Sequence, residues 1–295
     1  MRILCKRGAR GPVVWDLQRA LAAQGAAIDV DGVYGGQTQA ALAPSGVCEF
    51  ERWTTVTQRP VPPAGTRAIQ LTSAFEAHGY TKVAGDFDGA GLTWGLIGFT
   101  LKFGMVQAIL KEIYANHREL FERAFGELGR RMEKLAREPL DKQMAFAGEI
   151  SVPPRKTSVS ALWQQGFEAL GSFPEVQAIQ LRMAEEKYLR PAIATYTSLG
   201  LQSELGLALC FDIHVQNGGI GPSARKAIAA EIAGRKLAES TVRKIIAAKV
   251  ADSANPRFRD DVLSRKMTLA TGTGRVHGEN FVTSDWGVDD FPVES

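Results

Sequence analysis

The sequence predicts a mainly α protein: a small helical domain at the front, then a larger helical domain with a minor β segment. Three observations lead there. From Gly65 onward apolar residues recur at helical spacing. A proline-bearing stretch ending RPVPPAG separates that region from an earlier helical pattern. A glycine- and aspartate-rich segment, VAGDFDGAG, lies between two short runs that read as strands, near Tyr80–Val83 and Leu92–Phe99. The chain has 295 residues, 45% hydrophobic and 23% charged, which is enough for one small and one large domain with cores of their own.

The front domain is read from residues 8 to 25, GARGPVVWDLQRALAAQG, where Val14, Leu17 and Leu21 share one helical face and Gly25 closes the helix. In the following IDVDGVYGGQTQAAL, Asp31-Gly32 and Gly35 supply turn chemistry, and Thr38 opens a second helix. The expected division is a domain over 1–50, a linker over 51–65 and a second domain over 66–295. In the second domain Ile69, Thr72 and Phe75 fall on one face, as do Val106, Ile109, Leu110 and Ile113. HRELFERAFGELGRRMEKLA reads as one amphipathic helix with a solvated charged face. Further helices are expected near 159–170, 174–188, 203–216, 222–233, 239–251 and 257–268. TGTGRVHGENF and the terminal SDWGVDDF read as loops.

Composition excludes several classes. A net charge of +3 without a Lys/Arg block does not describe a nucleic-acid binder. The segment MRILCKRGARGPVV has no apolar stretch after its charges, so a cytoplasmic product without a signal peptide is expected. No run approaches a membrane span, so membrane insertion is not expected. Cys5, Cys48 and Cys210 match no zinc pattern and read as idle thiols, with a Cys5–Cys48 bridge as the alternative. His78, His117, His214 and His277 show no metalloenzyme spacing. Neither a metal nor a cofactor is expected, and nothing suggests more than a monomer.

The carboxylates around residue 80 are the candidates for chemistry, although by themselves Glu76 also reads as a surface residue and Asp88 as a turn former. Glu76 ends a predicted helix, where the partial negative charge of the helix terminus disfavours an ionised carboxylate. Phe75, Ala77 and Tyr80 are placed to desolvate it. Both effects favour the protonated form that a general acid needs. Asp88-Gly89-Ala90-Gly91 is polar turn sequence, in which Asp88 stays ionised as a general base must. Two carboxylates in contrasting settings are the minimum for cleaving a glycosidic bond.

Two resemblances sharpen this. Gly8, Gly11, Val14, Leu17, Gln18, Leu21 and Gly25, with Asp31, Gly32, Tyr34, Gly35, Thr38 and Ala41, form a pattern that resembles the peptidoglycan-binding domain type 1 family. It implies a compact three-helix module that holds an enzyme on the cell wall. L-T-S-A-F-E at 71–76, followed by D-G-A-G-L-T-W-G-L-I-G-F at 88–99, resembles the active-site region of glycoside hydrolase family 46, the chitosanases. That resemblance implies a two-lobed, lysozyme-like helical domain with Glu76 as general acid, Asp88 as general base and Thr93 placing the attacking water. ELGLALCFDIHVQNGG and FRDDVLSRKMTL resemble later helices of the family, which implies that Asp212 and Arg265 belong to a buried ionic network supporting the carboxylates. Asp86, Tyr80, Arg275 and His277 are the candidate sugar contacts.

The expected function is therefore a peptidoglycan hydrolase of the lysozyme type, acting on the wall after holin release or delivery by a secretion machine. Three alternatives stand beside it. A chitosanase keeps the chemistry and changes the substrate, but a polycationic substrate calls for an acidic balance that this chain lacks. The others are a non-catalytic wall-binding component and a lytic transglycosylase.

Overall fold

The computed structural model describes residues 2–76 and 79–293. The chain forms two compact units: one holds the residues up to Phe75 and those from Glu185 onward, the other Glu76–Ala184. The first part of the first unit contains β1 (Ile3–Cys5), α1 (Pro12–Ala23), α2 (Gly36–Ala41), β2 (Cys48–Glu49), α3 (Phe50–Thr57) and α4 (Ala64–Phe75). Pro12 opens α1, where its missing N–H costs nothing, and Val13, Val14, Leu17 and Leu21 are buried. β1 pairs antiparallel with β2 and sets Cys5 opposite Cys48. All three cysteines are free, buried thiols. Burial pushes the Cys5 thiol up, and its contact with Cys48 adds to that.

The motif residues of this region build its turn. The Gln18 side-chain oxygen accepts from the Asp31 and Gly32 N–H groups, and its amide donates to Asp31 Oδ1, Val33 O and Thr38 Oγ1. Gly32 has φ +71, and a Cβ there would lie 1.9 Å from the Trp15 indole nitrogen. In the stretch 51–65, expected as a linker, α3 runs on to Thr57 and α4 begins at Ala64, so that only 58–63 is irregular. Trp53, 2% exposed, donates its indole N–H to Pro60 O at 2.9 Å, so the proline segment folds back on the helix.

The second unit contains β3 (Val83–Ala84), β4 (Thr93–Trp94), β5 (Phe99–Thr100), α5 (Met105–Asn116), α6 (Glu119–Phe125), α7 (Gly129–Arg137), α8 (Leu140–Ile150), α9 (Ala161–Ser172) and α10 (Pro174–Ala184). The three strands form one antiparallel sheet in chain order, with Val83 opposite Trp94 and Trp94 opposite Phe99. Trp94 is fully buried and meets Phe167 edge-on at 5.4 Å; Phe125 meets Phe167 at 5.3 Å and Phe146 meets Trp163 at 4.8 Å. Gln180 ties α10 to the sheet, accepting from Leu96 N and donating to Tyr80 O.

The single helix expected over 117–136 is broken. Gly126 takes φ +55, and a turn of 3₁₀ helix separates α6 from α7 and leaves Gly129 packed with its Cα hydrogens against Glu122. The charge pattern is continuous through the break, so periodicity did not reveal it. α8 was also not anticipated. Gly171 shows how tightly this unit is packed: a Cβ there would stand 2.2 Å from Tyr80 O and 2.8 Å from Thr81 Cα, both backbone atoms. Gly171→Ala is expected to destabilise the protein by about 1–3 kcal/mol, seen as a lower denaturant midpoint at an unchanged slope.

The remainder of the first unit is a π turn (Glu185–Leu189), α11 (Arg190–Ser198), α12 (Glu204–Asn217), α13 (Pro222–Ile232), α14 (Glu239–Asp252), α15 (Arg259–Thr271), β6 (Thr273–Val276) and β7 (Glu279–Val282). The expected helix over 174–188 stops as an α-helix at Ala184, and α11 was not anticipated. β6 and β7 form an antiparallel hairpin where loops were expected. α12 is the centre of the unit, with every residue from Glu204 to Ile213 buried. Ser203 caps it by accepting from Gly206 N. Glu204, 3% exposed, holds both Arg2 and Arg67 in ion pairs. Arg67 also donates to Gly287 O and Pro62 O, while Gln70 accepts from Val13 N at 2.8 Å. The front segment is thus joined to α4 and α12 by buried polar contacts, which cost too much when unpaired to be left open. Among the described residues, no helix is long and apolar enough to cross a membrane.

Candidate functional site

Five of the sequence candidates lie in the second unit. Glu76 is its first residue and follows α4 directly; its side chain is half-buried. Ala77, expected to help desolvate it, lies outside the described residues, as does His78. Tyr80 is 4% exposed and is used in packing, with its carbonyl bonded to Gln180. A substrate contact through its side chain is not what this placement offers.

Asp86 and Asp88 sit in the loop between β3 and β4, and the loop treats them differently. Asp86 closes it: Oδ1 accepts from Gly91 N at 2.9 Å, and its own N–H donates to Ser151 Oγ. Asp88 is exposed, and its Oδ1 accepts from Ala90 N at 3.0 Å, a local turn contact that fixes the carboxylate without burying it. Gly89 and Gly91 both have positive φ, and a Cβ at Gly91 would meet Met144 Sδ at 2.7 Å. The loop then enters β4 at Thr93, a half-buried residue paired with Ala84 on one side and Thr100 on the other. Asp88 therefore presents an accessible carboxylate, and Thr93 a hydroxyl on a rigid strand five residues on. A hydroxyl can accept from a water while donating elsewhere.

The other candidates lie in the first unit and centre on α12 and α15. Asp212 is fully buried, and its Oδ1 accepts from an Arg265 terminal nitrogen at 2.5 Å. Lys266, which the sequence did not single out, donates to Asp212 Oδ2, to Asp212 O at 3.1 Å and to Gln216 Oε1 at 2.6 Å. Burial by itself would raise the Asp212 carboxyl; the Arg265 and Lys266 cations outweigh it and hold it down at about 2. The Arg265 guanidinium lies 5.6 Å from the centre of the Phe75 ring, and that ring stands edge-on to Phe281 at 4.8 Å. So the buried ion cluster supports the last residue of α4.

The hairpin places the last two candidates. Arg275 is exposed, with Nε donating to Gly278 O. His277 is engaged through both ring nitrogens, Nδ1 with Phe75 O and Nε2 with Asp261 Oδ1, each at 2.8 Å. It is tied to the scaffold rather than held ready for a sugar. Asp261 and Gln216 were missed in the sequence, although a signal existed: Gln216 follows Asp212 by four residues and Asp261 precedes Arg265 by four, so each shares a helix face with a member of the cluster. Among the described residues, no group of three His, Cys, Asp or Glu side chains is placed to hold a metal ion.

No family model matches the chain, and no curated protein matches it. Solved structures do. A GH46 chitosanase from Gynuella sunshinyii, determined with chitotetraose, is 18% identical with a TM-score of 0.51, over 76% of this chain and 98% of its own. A mutant chitosanase from Bacillus subtilis MY002, determined with 6 GlcN, is 18% identical with a TM-score of 0.47, over 78% and 98%. At this identity the likeness to the Gynuella enzyme is one of fold: a mainly helical chain with small antiparallel sheets, in the GH46 lysozyme-like arrangement.

Proposed function

We propose that this protein is a glycoside hydrolase that cleaves the glycan strand of peptidoglycan by inverting acid/base catalysis, with Glu76 as acid, Asp88 as base and Thr93 positioning the water. The observation that carries the reading is the setting of the two carboxylates. Glu76 is half-buried at a helix end held by a buried ion cluster, and Asp88 is exposed in a turn that leads onto the strand bearing Thr93. Their sequence context resembles that of the GH46 active site. The choice of peptidoglycan rests on the wall-binding motif at the front and the mildly basic charge. In this reading the protein acts on the wall as a monomer, without a cofactor, after holin release or delivery by a secretion machine.

One observation favours a second reading. The Gynuella fold neighbour was determined with chitotetraose, so chitosan is the competing substrate. Clearing of permeabilised Gram-negative cells, run beside reducing-end release from chitosan, separates the two. Activity on neither polymer, with retention on purified sacculi, would mean a non-catalytic binder. An anhydro sugar among the products would mean a lytic transglycosylase.

The stereochemical course tests the mechanism. Inverting enzymes leave roughly 6.5–9.5 Å between the carboxyl groups for a water, against about 5–5.5 Å in retaining ones. Proton NMR is expected to show the α-anomer released first from the β-linked strand, and Asp88→Asn is expected to lose most of the rate. First release of the β-anomer would exclude Asp88 as a base acting on water.

A further inference from the structure

The geometry points to His277 as a positioning residue that clamps the end of α4, so that Glu76 leaves the helix on a fixed path; this role in catalysis rests on the function proposed above. The Phe75 carbonyl that meets His277 Nδ1 belongs to the peptide bond leading into Glu76. Asp261 Oδ1 meets the other ring nitrogen, and Asp261 Oδ2 accepts from Gln216 Nε2 at 2.8 Å. Gln216 Oε1 accepts in turn from Lys266, the partner of buried Asp212. A continuous set of hydrogen bonds therefore runs from the buried ion cluster through Gln216, Asp261 and His277 to the last carbonyl of the helix.

The chemistry of the contacts makes this more than proximity. The Phe75 carbonyl oxygen only accepts, so in that contact Nδ1 donates, while Nε2 faces the Asp261 carboxylate. A donor at the C-terminus of a helix satisfies a carbonyl that has no partner within the helix. The backbone supports the same assignment. His277 and Gly278 form a two-residue hairpin loop between the paired residues Val276 and Glu279, and both have positive φ, +49 and +88. Such a turn favours Asn-Gly, and a histidine held there is in a conformation that surroundings must maintain. Here the ring contacts to Phe75 and Asp261 do so.

The turn also supplies the discriminating variant. Asn at position 277 suits the backbone better than His, and its amide can donate to Phe75 O but cannot restore the ion pair with Asp261. Ala removes both contacts. His277→Ala is expected to lower kcat about tenfold on the cleaved polymer with KM within about twofold, and His277→Asn to recover most of that loss. Hydrogen exchange of the full-length protein, followed on peptides covering α4, is expected to be faster in His277→Ala and near wild type in His277→Asn. Unchanged exchange in His277→Ala would overturn the clamp. A rise in KM at constant kcat would instead make His277 a sugar contact, and equal loss in both variants would remove the Phe75 bond as the cause. The exchange readout needs no substrate, so it decides the clamp even if the wild-type protein hydrolyses neither polymer, an outcome that would fall on the proposed function alone.

Discussion

Glu76→Gln is expected to fold as the wild type does and to lose most of its hydrolytic activity. Glu76 sits beyond the last residue of α4, outside the interdigitated core, and the amide has the shape of the carboxylic acid. What the amide lacks is an acidic proton for the leaving glycosidic oxygen. General acid catalysis contributes ~10²–10⁴-fold, so the fall in kcat should lie in that range while KM changes little. Thermal unfolding measured on the same preparation controls for folding. A folded Glu76→Gln protein that still clears cells near the wild-type rate would remove Glu76 from the mechanism and send the search for an acid elsewhere on the chain.

The second large effect concerns stability. Asp212→Asn is expected to cost about 3–5 kcal/mol, because it leaves the Arg265 and Lys266 cations, 1% and 0% exposed, without their counter-ion. For a chain of this size that corresponds to a fall in Tm of roughly 5–8 °C. The pH dependence gives a second signature. The folded Asp212 carboxyl is held at about 2, below its ordinary 3.8. A depressed carboxyl contributes stability that is fully present above the unfolded value and is lost as pH falls through the folded one. The contribution, about 2–3 kcal/mol from a shift of this size, should thus be intact above pH ~4.5 and gone below pH ~2. Asp212→Asn should flatten that part of the acid-unfolding curve. An unaltered acid limb would mean that other carboxylates control acid unfolding.

Much of this molecule is legible one segment at a time. The spacing of Val106, Ile109, Leu110 and Ile113 is the buried stripe of α5, and Ser203, Gly25 and Pro12 mark helix ends by local chemistry. Asp88-Gly89-Ala90-Gly91 is a turn because its own residues make it one. The family resemblance singled out Asp212 and Arg265, and in the structure the two form a buried ion pair. These features depend on bonds and periodicities spanning a few residues, which sequence carries directly.

Tertiary structure alone decided the rest. Glu204 gathers Arg2 from 202 residues away and Arg67 from 137, and no local pattern marks such partners. Those contacts place the segment up to Phe75 in one unit with the segment from Glu185 onward, whereas the proline run suggested a linker. Strands were expected near Tyr80–Val83 and Leu92–Phe99, but their cut to two residues each and the pairing of one run into two strands are set by the burial of Trp94 against Phe167 and the bond from the adjacent backbone to Gln180. His277 was a candidate sugar contact because the segment TGTGRVHGENF read as a loop. Its two partners lie on α4 and α15, and only folding brings them to either side of one ring.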